Sequence, residues 1–207
     1  MVYLDSNATT RPAEQVVEAI DRAARELWAN PSSVHRAGQA ARQAVELARE
    51  QVATLIGARP RELVFTSGGT ESNHLAIHGL LDAAAEGHTL VTTRVEHSAV
   101  REPAEAFAAA GGDTQWLPVD ADGRVGAAGL AALLRELAGR RVLVSVQWAN
   151  NETGVIQPMP ELAEVLAEAQ ATRRRSADRS GLFWHVDATQ AVGKLPVDVA
   201  AAGCDLL

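Results

Sequence analysis

The sequence predicts an α/β fold in which a mostly parallel sheet carries helices on both faces. Short β-branched runs alternate with longer segments of helical periodicity along nearly all of the 207 residues, which is the order expected of βαβ units. Several of the short runs are apolar throughout, as strands buried on both faces must be. In chain order, apolar residues at three- and four-residue spacing predict helices over Pro12–Leu27, His35–Ile56, Glu71–Ala85, Ser98–Ala110, Ala127–Leu137 and Pro160–Ala171. Gly57 and Gly139 stand where the second and fifth of these should stop. Strands are predicted over Leu63–Thr66, Leu90–Thr93, Thr114–Leu117, Val142–Trp148 and Leu182–Val186, with a further one starting at Asp205. The run RRRSADRS, Arg173 to Ser180, breaks this rhythm with four arginines. It reads either as a solvated loop after a helix whose C-terminal dipole favours cations, or as an anion or partner site.

Composition narrows the function classes. Nineteen basic against 26 acidic residues give a net charge of −7, with 47% apolar and 22% charged residues. That is a globular composition, long enough for one or two domains with a real core, and it excludes disorder. A net negative chain without a basic face is a poor counterion-releasing partner, so nucleic acid is not expected and a small substrate is. Cys204 is the only cysteine, which excludes an internal disulfide and a cysteine-based metal site. The opening MVYLDSNATT lacks the basic flank and apolar stretch of a signal peptide. No segment approaches the roughly 18 apolar residues that span a bilayer, so the chain reads as cytoplasmic.

Ligands of open α/β sheets bind beyond the carboxyl ends of the strands. The first such place is Ser67-Gly68-Gly69-Thr70-Glu71-Ser72-Asn73, which leads into a helix. Its glycines let backbone approach an anion, and the helix N-terminus offers free N–H groups suited to a phosphate. The same residues also make a tight turn with Thr70 as N-cap. Neither the Walker nor the dinucleotide glycine spacing is present, which disfavours a nucleotide. The other strand ends carry Glu96-His97-Ser98, Asn150-Asn151-Glu152-Thr153-Gly154 and Asp187-Ala188-Thr189-Gln190. His97 suits stacking on a ring or moving a proton, or it is an ordinary loop histidine. Asp187 either N-caps a following helix or pairs with a cationic cofactor nitrogen. His185 and Asp187 alternate on one strand, but no third ligand has recognisable spacing, so no metal site is expected.

Taken together, YLDSNATT, NPSSVHRAG (30–38), ELVFTSGGTESNHLAI (62–77), EHSAV (96–100), ANNETGVIQP (149–158) and HVDATQAVGKLPVD (185–198) resemble the cysteine desulfurases. These are pyridoxal-phosphate enzymes of the class V aminotransferase group, and the resemblance is to their NifS/IscS branch. It implies a fold-type I transferase with pyridoxal 5'-phosphate as cofactor and L-cysteine as substrate. It further implies a homodimer and a sulfur-acceptor or scaffold partner, in iron–sulfur cluster or thio-cofactor assembly. Gly69 and Thr70 are implied to hold the cofactor phosphate, and His97 to stack on the ring and assist proton transfer as the catalytic group. Asp187 is implied to pair with the ring nitrogen, and Gln190 and Asn151 to bond the ring oxygen and the substrate side. Residues 1–14 would contribute to a small domain and 15–207 to an incomplete large cofactor domain.

The family's Schiff-base lysine, in S-x-S-x-H-K, and its persulfide-forming cysteine are implied to lie past Leu207. With the apolar Cys-Asp-Leu-Leu ending, this predicts a truncated chain that is inactive alone. Lys194, the only lysine, does not replace the missing one: on a helix after Asp187 it would lie about 10 Å along the axis. Cys204 is expected to be a small buried core residue rather than the sulfur carrier. Two other readings stand beside this one, another class V enzyme such as a selenocysteine lyase or aminotransferase-like relative, and a non-catalytic remnant acting as an interaction module through its arginine run.

Overall fold

A computed structural model describes residues 2–82 and 84–207. The chain divides into two compact units, one ending at Val64 and the other running from Phe65 to Leu207.

The first unit holds helices α1 (Glu14–Glu26) and α2 (Arg36–Ile56), then a 3₁₀ turn at Pro60–Glu62. The His35 ring caps α2 by accepting from the Gly38 N–H at 3.2 Å. Gly57 ends the helix in the left-handed conformation, φ 70°, as its position predicts. The expected strand over Leu63–Thr66 does not form. The segment is extended at Leu63, yet Val64 and Phe65 are 72% and 52% exposed, and among the described residues no strand pairs with it. An apolar, β-branched run has strand propensity but needs a partner to become one.

The second unit contains α3 (Gly69–Leu80), β1 (His88–Thr93), α4 (Ser98–Ala109), β2 (Asp113–Leu117), α5 (Ala127–Glu136), β3 (Arg141–Gln147), α6 (Met159–Arg175), β4 (Leu182–Asp187) and the short α7 (Val199–Ala202). Among the described residues the strands form one parallel sheet in the order β2-β1-β3-β4. From β1 the chain moves outward to β2, whereas β3 and β4 lie on the other side. The β1/β3 boundary is therefore a topological switch point, where an α/β sheet opens a crevice at its carboxyl end.

One face of the sheet changes character along the strands. Leu90, Leu143 and Phe183, near the amino ends, pack with Ile77, Leu81, Val100, Ala104 and Phe107. Two and four residues further on, the same face presents Ser145 and His185, then Gln147 and Asp187, paired in register. The core gives way to a polar edge just where the crevice opens. On the alternate positions Val142, Val144, Val146, Trp184 and Val186 are buried. Helices α5 and α6, packed on each other, bring buried Leu130, Leu134, Leu162 and Leu166.

Several boundaries differ from the sequence reading. Helix α3 begins at Gly69 with Gly68 as its N-cap, so Thr70 lies inside the first turn rather than capping it. It stops at Leu80, because Leu81 turns extended to bury its side chain. Helix α6 continues through Arg175 and Arg173 is buried, so the run begins inside the helix, and only its mostly exposed remainder, 176–180, is the solvated loop. After Asp187 the chain forms turns, not a helix, with Ala191 N–H bonded to Ala188 O at 2.8 Å. The strand expected at Asp205 is reduced to one parallel bridge, His185 to Leu206. Cys204 is half-buried rather than a core residue.

Candidate functional site

The crevice is built from four places in the second unit: the turn leading into α3, the β1–α4 and β3–α6 junctions, and the turns that follow β4. At the first, no side chain caps α3, so its leading N–H groups meet no side-chain acceptor at the N-cap, and the helix dipole adds positive potential there. The turn before it is tied down by Thr66 Oγ1, which donates to Gly68 O at 3.1 Å and pairs with Ser72 Oγ at 2.8 Å. Glu71 reaches back to accept from Ser67 N–H at 2.6 Å, and the Ser67 hydroxyl together with that N–H holds its carboxyl below the ordinary value. Gly69 sits tight against β4's following turn: a Cβ there would stand 2.8 Å from Thr189 Oγ1.

Gly69, Ser72, Asn73, Asp187, Thr189 and Leu207 line an open recess of about 160 Å³. Asp187, 8% exposed, is fixed on both oxygens, Oδ2 accepting from Asn73 Nδ2 at 2.8 Å and Oδ1 from Thr189 N–H at 3.0 Å. Behind it, Ser145 Oγ pairs with His185 Nδ1 at 2.8 Å. Burial pushes the His185 ring down to about 4, against the opposing pull of Asp187, so it is neutral at pH 7.

Between β1 and α4, exposed His97 caps the helix, its Nδ1 accepting from Ala99 N–H at 3.1 Å. That bond leaves the proton of a neutral ring on Nε2. Beside it Glu96 is 4% exposed and accepts from Thr93 Oγ1 at 2.7 Å and from Gln147 N–H at 2.8 Å. Burial pushes this carboxyl up to about 8, and the charge of Asp187 adds to the rise. After β3, Asn150 Oδ1 gathers Glu152 N–H, Thr153 N–H and Thr153 Oγ1 within 3.0 Å, which orders the turn that carries Asn151. After β4, half-buried Gln190 accepts from Lys194 Nζ, and exposed Lys194 points its amine into that pair.

Of the residues singled out from sequence, Gly69 and Asp187 line the same recess. Thr70 follows directly on α3, while His97, Asn151 and Gln190 stand on the neighbouring strand ends and do not line it. The sequence reading placed Asn73, Thr189 and Glu96 in the strand-end runs without a role of their own, and it did not single out Gln147. Asn73 had a legible signal: four residues after Gly69 on a helix, it shares that residue's face. Among the described residues no cluster of three or more metal-ligating side chains occurs, nor any helix long and apolar enough to cross a membrane.

The aminotransferase class-V family model matches residues 2–207. The chain belongs to the class-V aminotransferase family. Its relatives are NifS/IscS cysteine desulfurases: it is 41% identical over its full length to cysteine desulfurase IscS of Dictyoglomus turgidum, covering 49% of that protein. It is also 41% identical to cysteine desulfurase NifS of Azotobacter vinelandii, covering 48%. The chain thus spans about half the length of the curated relatives it matches. Among solved structures it resembles a NifS-like protein, with TM-score 0.87 and 34% identity over 99% of this chain and 53% of that one. It also resembles SspA in complex with cysteine, with TM-score 0.86 and 32% identity over 99% and 55% of the two chains. These likenesses establish the expected fold-type I architecture. Class-V enzymes of this kind use pyridoxal 5'-phosphate, and the donor set here fits that group: an uncapped helix N-terminus for a phosphate and a buried, immobilised carboxyl for a ring N–H.

Proposed function

We propose that this class-V chain carries the cofactor site of a pyridoxal 5'-phosphate-dependent cysteine desulfurase. The protein would take sulfur from L-cysteine for iron–sulfur cluster or thio-cofactor assembly and work as a cytoplasmic homodimer. A sulfur-acceptor protein would receive the product, and residues 1–14 would contribute to its smaller domain. The observation that carries the reading is the Asp187 carboxyl, held by Asn73 and Thr189 at a recess beside the first turn of α3.

The bound cofactor supplies an electron sink for carbanion charge. Gly69 and Thr70 would hold its phosphate with α3 N–H groups, needing no charged side chain. Asp187 would bond the ring nitrogen and favour its protonated form. Its two existing hydrogen bonds prevent it from turning away. His97, whose Nδ1 is taken by Ala99 N–H, would lie against the ring and move a proton at Nε2. Asn151 and Gln190 would bond the ring oxygen and the substrate side without adding charge. Cys204 does not suit sulfur transfer: burial pushes its thiol up to about 11, leaving little of the nucleophilic thiolate at neutral pH.

The test is a spectrophotometric titration of the complete gene product with pyridoxal 5'-phosphate, followed by an assay for alanine formed from L-cysteine. The expected result is saturable binding that Asp187→Ala weakens about tenfold to a hundredfold, equivalent to roughly 1.4–3 kcal/mol. Equal affinity of the two proteins overturns the cofactor assignment. Binding without alanine formation overturns the substrate.

A further inference from the structure

The parallel ladder between β1 and β3 runs only to Val91 and Val144. The outer ladders go further, to Thr93 with Leu117 and to Gln147 with Asp187. The sheet therefore splits at the switch point, and the last residues of β3 lose their strand partner on the β1 side. Gln147 N–H, which would otherwise meet a β1 carbonyl, is left in a buried place where an unpaired donor costs about 1–3 kcal/mol.

Glu96 fills that gap. We infer that it is a positioning residue, its carboxyl standing in for the missing strand so that the turn bearing His97 and the turn bearing Asn151 form one rigid frame. Three hydrogen bonds cross the split: Gln147 N–H to Glu96 Oε2 at 2.8 Å, Gln147 Nε2 to Val95 O at 2.7 Å and Asn150 Nδ2 to Val95 O at 2.9 Å. Thr93 Oγ1 braces the near side, donating to Glu96 Oε1 at 2.7 Å and accepting from Val95 N–H at 3.2 Å. Asn150 spends its amide nitrogen on the His97 turn and its oxygen on the Asn151 turn, so neither turn moves without the other. The position asks for one acceptor toward Gln147 and one group able to bond a hydroxyl. A glutamine meets both demands, since its oxygen accepts from Gln147 N–H while its NH₂ donates to the Thr93 hydroxyl. The burial that pushes Glu96 upward agrees with a role that needs its shape and bonding rather than its charge.

This inference rests on the proposed site, and its test separates the two. Hydrogen exchange of the complete gene product without cofactor, in wild type, Glu96→Ala and Glu96→Gln, reads the frame directly. Glu96→Ala is expected to speed exchange about tenfold in both turns, 94–98 and 148–154, while Leu90 and Val91 stay protected. It should weaken cofactor binding by a similar factor, and Glu96→Gln should keep both properties within about twofold of wild type. Faster exchange confined to 94–98, or a glutamine variant as impaired as the alanine one, overturns the inference. Should Glu96→Ala fail to fold, Asn150→Ala removes one crossing bond and must loosen both turns together. Intact coupling in a wild type that binds no cofactor counts against the proposed function and leaves the frame standing.

Discussion

The two ends of the sheet both bury charge-bearing side chains, and they treat them in opposite ways. At the amino end Arg173, 7% exposed, donates to Leu137 O at 2.8 Å, Arg140 O at 2.7 Å, Ser180 Oγ at 3.0 Å and Gly181 O at 3.1 Å. Asp178 lies 3.8 Å from its Nε and is held down to about 2, chiefly by Ser180 and also by Gly139. None of these residues is among those lining the recess beside α3. At the carboxyl end Asp187 faces it, with two of its lone pairs engaged and capacity for more. Burial of a charged group alone therefore does not mark a site. What distinguishes the carboxyl end is bonding capacity left pointing into space large enough for a ligand.

If the amino end is purely structural, breaking it should unfold the protein without touching ligand affinity. Arg173→Leu removes the donors to the Leu137, Arg140 and Gly181 carbonyls, of which Leu137 and Gly181 keep backbone partners in Arg140 N–H and Val142 N–H, and it takes away the cation beside Asp178. The expected loss is about 1–3 kcal/mol, the scale of hydrogen bonds to a buried charged group. Urea unfolding measures it. Arg173→Lys, with one point charge in place of a fork, should recover only part. A variant that folds but binds pyridoxal 5'-phosphate more weakly would erase the distinction between the two ends.

These two ends also differ in how far the sequence disclosed them. Asp187 and Gly69, which line the recess, stood out as a carboxylate ending an apolar strand and a glycine pair ahead of a helix, although each pattern fits a plain turn or cap as well. Arg173 was not legible as a buried residue. It serves carbonyls of the α5 end and of the residues before β3 and β4, which sequence spacing does not bring together. The boundary of α6 was missed for the same reason, since arginines are good helix formers but show no apolar stripe. Glu96 was read only as His97's neighbour, and its burial follows from the split between β1 and β3, a property of strand order rather than of local pattern. Leu63–Thr66 shows the converse, strand-like residues left without a strand to pair with.

At the carboxyl end a second contrast is open to measurement through pH. Glu96 is raised from 4.5 to about 8, so between those values the folded protein holds a proton that the unfolded chain has released. Stability must fall as pH rises through that window, by at most about 1.4 kcal/mol per unit. His185, lowered from 6.5 to about 4, acts oppositely: below 6.5 the unfolded chain takes up a proton, so stability rises with pH until that point. The two cancel in part up to 6.5, and the fall due to Glu96 emerges between there and 8. Asp187 on β4 is the charge facing Glu96, with Thr93 and Gln147 as neutral donors. Glu96→Gln should flatten the upper window in urea unfolding across that range. Equal slopes in variant and wild type would mean that Glu96 is not the buried proton.

The smallest effect tests whether the recess is shaped by close backbone approach. In Gly69→Ala the new Cβ would meet Thr189 Oγ1 at 2.8 Å, too close to stand, so the Thr189 side chain or the turn carrying it must shift. That turn also supplies the N–H that holds Asp187, so a steric change on α3 is passed to the carboxyl across the recess. Stability should move by less than about 1 kcal/mol, because alanine's better helix propensity offsets part of the clash. Cofactor affinity should fall about threefold to tenfold, the scale of a single weakened hydrogen bond. Adding Thr189→Ala removes the obstructing oxygen and leaves the Thr189 backbone N–H in place, so the double variant should regain most of the affinity. If Gly69→Ala binds as wild type does, the glycine is serving the turn and not the ligand, and the phosphate must be sought elsewhere on α3.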